Sequence, residues 1–172
     1  MADQNLGTYS PEDMIAIISV GEITHAISGW AEGTFLTVER THPTSTLVQG
    51  ADTSGGRIFR SNKGGSITFM LQQFSSSNDV MSAILQKDGE SRDNTWLFNL
   101  TLKDGTGRSV FHARQCFIEN VPHVTFGTEA ESRSWVIRAI ELNEYVGGNA
   151  VLPPDVVETL TKLGVTVEAK WI

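Results

Sequence analysis

A chain of 172 residues with a formal net charge of −7 is long enough to bury one hydrophobic core. It is also too acidic to grip nucleic acid through its phosphates, which takes a basic surface. Its single cysteine, Cys116, excludes an internal disulfide framework, and Gly residues (16, against 5 Pro) punctuating short apolar runs favour β structure. No stretch approaches the ~20 apolar residues of a membrane helix. The polar, acidic start MADQNLGTYSPED has neither the basic nor the apolar region of a signal peptide, so the expectation is no membrane span and no secretion.

Met14 to Val20 is apolar on both faces, which predicts a strand covered on both sides. Gly21 and Glu22 suit a turn, with Ile23 to Ile27 returning as a short strand. Phe35 to Arg40 alternates, placing Leu36 and Val38 opposite Thr37 and Glu39. Ser66 to Gln73 alternates more clearly, with Ile67, Phe69 and Leu71 on one face and Ser66, Thr68, Met70 and Gln72 on the other. Between these strands, 42–65 is rich in Thr, Ser and Gly and too long for a simple turn. We expect it to project as a hairpin arm carrying Asp52, Arg57, Arg60 and Lys63.

One helix is expected over about 78–87. Ser75, Ser76, Ser77 and Asn78 offer N-caps, Asp79 sits at the positive end of the dipole, and Val80, Met81, Ile84 and Leu85 form the apolar stripe before Gly89 as a stop. Trp96 to Leu102 alternates, Asp104-Gly105-Thr106-Gly107 reads as a hairpin turn, and strands follow over about 108–119 and 132–142. After Gly147-Gly148, Pro153-Pro154-Asp155 starts a short helix ending at Gly164, and Val165, Val167, Ala169 and Trp171 alternate as in a terminal strand. The pattern predicts a mainly β fold: two packed antiparallel sheets (a sandwich or barrel) with one flanking helix and a long arm. The domain spans 1–149, with an appendage at 150–172.

A search for chemistry returns little. His25, His42, His112 and His123 are scattered. The His112/Cys116 spacing could chelate on a helix, but on a strand it spans roughly 13 Å, too far for one ion. Glu129 and Glu131 suit a solvated surface or a subunit contact better than acid–base catalysis. Gly55-Gly56 and Gly64-Gly65 lack the Walker pattern. No nucleophile elbow is present, and aromatic and basic residues do not interleave as in a single-strand binder. The expectation is no enzyme, no metal and no cofactor.

Three segments resemble a known family: Gly33-Thr34-Phe35-Leu36-Thr37-Val38-Glu39-Arg40, then Leu71-Gln72-Gln73-Phe74-Ser75-Ser76-Ser77-Asn78-Asp79-Val80, and Tyr145-Val146-Gly147-Gly148-Asn149. They look like the motifs of tail tube proteins from contractile-tailed bacteriophages. In the arm, Val48-Gln49-Gly50-Ala51-Asp52 and Arg60-Ser61-Asn62-Lys63 are similar to the family's stretches as well. The resemblance covers roughly 8–149. The 108–131 region runs longer than the family pattern, and 150–172 has no counterpart in it.

The resemblance implies the fold shared with the type VI secretion tube, and rings of six subunits stacked into a hollow tube. It further implies a virion protein of the tail, assembled in the host bacterial cytoplasm, with itself, the tail sheath and the baseplate as partners. DNA and the tape measure protein would pass through the lumen without specific binding. Burial of Leu36, Val38, Ile67, Phe69 and Leu71 then leaves Thr37, Glu39, Ser66, Thr68 and Gln72 to face that lumen. The arm, with Asp52, Arg57, Arg60 and Lys63, would bridge rings or neighbouring subunits. Two other readings fit the residues: a monomeric ligand-binding β-sandwich with Trp side chains lining a pocket, and a baseplate or secretion-tube protein of the same fold.

Overall fold

The structure, a computed structural model, describes residues 6–172. The first five residues of the expected 1–149 domain lie outside the described residues. The strands are β1 (Met14–Val20), β2 (Ile23–Ala26), β3 (Leu36–Arg40), β4 (Ser45–Gln49), β5 (Gly55–Phe59), β6 (Gly65–Leu71), β7 (Phe98–Asp104), β8 (Val110–Asn120) and β9 (Arg133–Tyr145). Helix α1 (Ser77–Ser91) joins β6 to β7, and α2 (Pro154–Lys162) follows β9.

The expected mainly β architecture with two antiparallel sheets and one main helix is what the chain adopts, but the sheets are very unequal. Seven strands hydrogen-bond continuously in the order β2-β1-β7-β8-β9-β6-β3, while β4 and β5 form a separate two-stranded hairpin. The larger sheet coils until β3 faces the ends of β1, β7 and β8. The cleft between them is about 490 Å3 and includes Tyr9, Met14, Leu36, Val38 and Phe111 in its lining.

Alternation decides the core. Ala16, Ile18 and Val20 of β1, Ile67, Phe69 and Leu71 of β6, Phe98, Leu100 and Leu102 of β7, and Trp135, Ile137 and Ala139 of β9 all turn inward into one cluster. Burying each such side chain contributes roughly 1.5–3 kcal/mol, which sets the register wherever it applies. β1 corrects one expectation: it is covered on one side only, with Ile17 half-buried and Ile15 exposed on the other.

The middle of the sheet carries a shared irregularity. Between Ala113 and Cys116, β8 has two residues where β7 has one between Leu100 and Phe98. Strand β9 keeps step with β8, pairing Leu142 with Ala113 and Ala139 with Cys116, so it too carries an extra residue. Gln115 absorbs the extra length at φ 51°, and its N–H donates to Asn99 Oδ1 at 3.4 Å. A β-bulge of this kind strengthens local twist, which suits a sheet that must coil around its own core. Alongside, Gly65 has no room for a side chain: a Cβ would lie 2.6 Å from Leu142 Cδ2 and 2.9 Å from the Glu39 carbonyl.

Helix α1 is longer than the sequence suggests. It continues through Gly89 and stops at Arg92, which adopts the left-handed conformation at φ 49°. Its fully buried apolar residue is Met81, while Ile84 and Leu85 are only half-buried against the core. The serine run before it works as a joint rather than as a simple cap. Ser75 Oγ accepts from the Ser77 N–H (3.2 Å) and donates to the Ser28 carbonyl (2.5 Å). Ser77 Oγ accepts from the Ser28 N–H (3.0 Å) and lies 2.9 Å from His25 Nε2. Asn78 bonds the Gln72 carbonyl and accepts from Trp135 Nε1, both at 2.9 Å.

The appendage differs from expectation at its end. Helix α2 forms and Gly164 closes it at φ 81°, but residues 165–168 pair with no strand and Ala169–Trp171 make a single 3-10 turn. Val165 and Val167 are instead half-buried in the lining of a cavity shared with Arg108, Val110 and Trp171.

Met81 gives the fold its test. Met81→Ala should destabilise the protein by about 2–5 kcal/mol, and Ile84→Ala by less, since only the former empties a fully enclosed site. Urea-denaturation midpoints of the two variants against the parent check this order.

Candidate functional site

The face of the large sheet away from the core is built by register. Thr37 stands opposite Thr68 and Thr68 opposite Val136; Glu39 stands opposite Ser66 and Ser66 opposite Arg138. Four of the five residues expected on the lumen side therefore form two cross-strand rows. Gln72 continues the same side just past β6, exposed. Two cations of this face are matched: Arg138 is ion-paired with Glu119, and Arg114 lies 4.0 Å from Glu141, while Lys103 of β7 is exposed and makes no ion pair among the described residues. Glu39 is exposed and makes no ion pair among the described residues. Strands β2 and β3 end the strand order, so each leaves one edge of backbone donors and acceptors unpaired by strand partners.

The arm forms a regular hairpin, with Ser45 paired to Phe59, Leu47 to Arg57 and Gln49 to Gly55. The ladder runs on past the strands through Arg60 N–H to the Thr44 carbonyl (2.9 Å) and Thr41 N–H to the Gly64 carbonyl (3.0 Å). Every residue of β5 is exposed, and Leu47 (68%) and Phe59 (69%) present large apolar surface to solvent. A two-stranded ribbon with nothing packed on it is marginal by itself.

The four charged arm residues do not share one situation. Asp52 accepts from the Ser54 N–H (2.9 Å) and hydroxyl, so it is spent on closing the turn. Its hydrogen bonds to Ser54 hold the carboxyl below the usual range. Lys63 sits at the root and donates to Asn143 Oδ1 of β9 at 3.1 Å. Arg57 lies along the arm, 4.2 Å from the Phe59 ring centroid, and Arg60 is exposed.

The third feature is a clasp that the sequence shows only as two separate motifs. Asn149 Nδ2 donates to Asp104 Oδ2 (2.8 Å) and Thr106 Oγ1 (3.2 Å), tying the Gly147-Gly148-Asn149 segment to the β7–β8 turn. Gly147 approaches so closely that a Cβ would fall 2.5 Å from Arg108 Cβ. Arg108 then reaches the appendage, donating to the Ala150 carbonyl (2.6 Å) with its guanidinium 4.6 Å from the Trp171 ring centroid. Burial of Asp104 opposes its ionisation. The hydrogen bonds from Thr106, Asn149 and the Gly107 backbone outweigh that, and the carboxyl titrates below its usual range.

Groups able to do chemistry are dispersed or enclosed. Among the described residues no three His, Cys, Asp or Glu side chains gather to hold a metal. His112 is exposed while Cys116 is buried, with its thiol pushed up to about 12 by desolvation. Ser77 and His25 meet, but Ser77 is fully buried and its Oγ already serves the Ser28 N–H. Trp30, Trp96 and Trp135 belong to the core or pack against it. Trp171 lines a cavity of about 140 Å3 beneath the appendage, below the roughly 300–1,000 Å3 of ordinary small-molecule sites.

A sheet with open edges and an unsupported arm is what assembly proteins present, and comparison with known proteins decides the family. Residues 6–147 match the family model described as the bacteriophage PhiTE tail tube protein. The chain belongs to this tail tube family. It is therefore a phage tail structural protein, part of the virion. It is 33% identical over 167 residues to the structural protein ORF10 of Pseudomonas phage KPP10, covering 96% of each chain. A match of that extent takes in most of 150–172, so the appendage, beyond the family model, has a counterpart in this relative. Two solved structures share the fold at low identity. One is the anti-feeding prophage baseplate (TM-score 0.53, 7% identity, 84% of this chain and 97% of that one). The other is the anti-feeding prophage cap (TM-score 0.51, 10% identity, 85% and 99%).

The clasp supplies a pH test within this tail tube chain. A carboxyl whose folded pKa is depressed adds stability that is present above its unfolded value, about 4, and lost as the pH falls through the folded value. Asp104→Asn should be less stable than the parent at pH 7, and the difference should shrink below about pH 4. Thermal midpoints across pH 2–7 read this out.

Proposed function

We propose that six copies close into a ring, and that rings stack into a hollow tube that conducts DNA. The observation that carries this reading is an antiparallel sheet with two open edges, a polar face built by Thr37, Glu39, Ser66 and Thr68, and a buried opposite face. A closed ring gives the exposed strand edge of each subunit a neighbour. Strands β8, β9, β6 and β3 are adjacent in the sheet and would supply four strands per subunit. Twenty-four strands at ~4.8 Å, tilted ~40°, give a backbone diameter of roughly 48 Å and a bore of about 40 Å. That admits a DNA duplex.

In this reading Thr37, Glu39, Ser66, Thr68 and Gln72 line the lumen. Short neutral side chains offer phosphate no grip, and Glu39, repeated in every subunit, repels it. The tape measure protein would occupy the same bore, and the sheath and baseplate would contact the outside and one end. No catalytic role is assigned. The arm stacks rings, with Arg57 and Arg60 as its free charges, since Asp52 and Lys63 are engaged within the subunit.

Two experiments test the reading. Deleting residues 51–62 should leave a folded subunit, by circular dichroism, that forms no tubes by negative-stain microscopy; normal tubes from this variant would remove the arm from stacking. Phage carrying Glu39→Lys should assemble tails of normal length yet release DNA more slowly in an ejection assay. Unchanged ejection kinetics would take Glu39 out of the lumen.

A further inference from the structure

The arm lies at one end of the molecule, and the surface at the other end complements it. Strand β6 leaves the arm at Gly65 and runs seven residues, roughly 20 Å, before the chain passes through Gln72, Gln73 and Phe74. At that far end a groove of about 420 Å3 is lined by Ala31, Glu32, Met70, Gln73, Phe74 and Glu131, among others. Its walls are held in place. Ala31 N–H donates to the Met70 carbonyl (2.8 Å), Glu131 N–H to Gln73 Oε1 (3.1 Å), and Arg133 to the Glu131 carbonyl (3.1 Å).

We propose that this groove receives the arm of a second copy in the adjacent ring; the inference rests on the reading of the arm as the stacking element. Chemistry pairs the two surfaces. Phe74 and Phe126, each 81% exposed, leave bare aromatic surface at this end of the subunit. Glu32 and Glu131 stand exposed on the rim without an ion pair among the described residues, and Glu129 is exposed close by in sequence. The one cation there, Arg133, is buried and turned onto backbone carbonyls and the Phe126 ring. The arm brings the matching set, Arg57 and Arg60 with bare Leu47 and Phe59. Arginine and aromatic side chains are the residues that most often dominate such contacts.

Polarity completes the case. Arm and groove sit at opposite ends of β6, so one subunit cannot satisfy itself, and copies that all point the same way meet head to tail. A contact of this head-to-tail kind propagates into an open stack.

Charge reversal tests the pairing on the full chain. Arg57→Glu with Arg60→Glu, and separately Glu32→Lys with Glu131→Lys, should each raise the protein concentration needed for tube formation about tenfold or more. The subunits should remain folded by circular dichroism. Combining all four substitutions should restore assembly close to that of the parent. If either reversal leaves tube formation unchanged, or the combined variant fails to recover, the groove is not the arm's partner. That outcome is distinct from failure of the arm reading itself, which shows only if the 51–62 deletion still stacks.

Discussion

Side chains on a strand alternate in direction, and in this chain only one side of the sheet finds a core. Once Ile67, Phe69 and Leu71 enter it, Ser66, Thr68 and Gln72 have no choice but to stand on the other face. The same constraint propagates through hydrogen bonding to β3 and β9, so the polar rows are a by-product of burial rather than a separately encoded feature. In the proposed tube, single-sided burial would give every subunit the same polar face towards the lumen. What it leaves unresolved, the two strand edges, is what a neighbour can supply.

Holding so coiled a sheet in shape falls to a few long-range ties between small polar residues. Ser75, Ser77 and Asn78 lock the start of α1 to the segment after β2 and to Trp135. Asn149 and Arg108 lock the end of β9 to the β7–β8 turn and to the appendage. Each bond contributes only about 0.5–1.5 kcal/mol net, but leaving one buried partner unpaired costs more than the bond contributes. These ties connect segments distant in sequence, so they fix the closure of the sheet rather than any one element.

Much of this was legible in the sequence, for identifiable reasons. Strict alternation marked β3 and β6 and assigned their faces correctly. The arm announced itself by length and composition, and Pro154 and Gly164 bounded α2. Other features were not legible because their cause lies elsewhere in the chain. Met14–Val20 reads as doubly covered, since an apolar residue facing solvent looks no different in sequence from one facing a core. Val165 and Val167 alternate like a strand, but a strand exists only where a partner edge does. The bulge through Gln115 needs three strands in register to be seen. The situations of Asp52 and Lys63 depended on Ser54 and Asn143, which no spacing rule connects to charge.

The enclosed Cys116 has a consequence for durability. A tail spends its working life outside the cell, in air-saturated medium, and a tube repeats every side chain of its subunit many times over. Oxidative coupling and adduct formation proceed through the thiolate. Burial pushes the thiol up to about 12, far above neutral pH, and Ala113, Ile137 and Leu142 share the same sealed core. The one thiol of the subunit is therefore held unreactive, and ageing of the particle in storage should proceed through its exposed side chains instead.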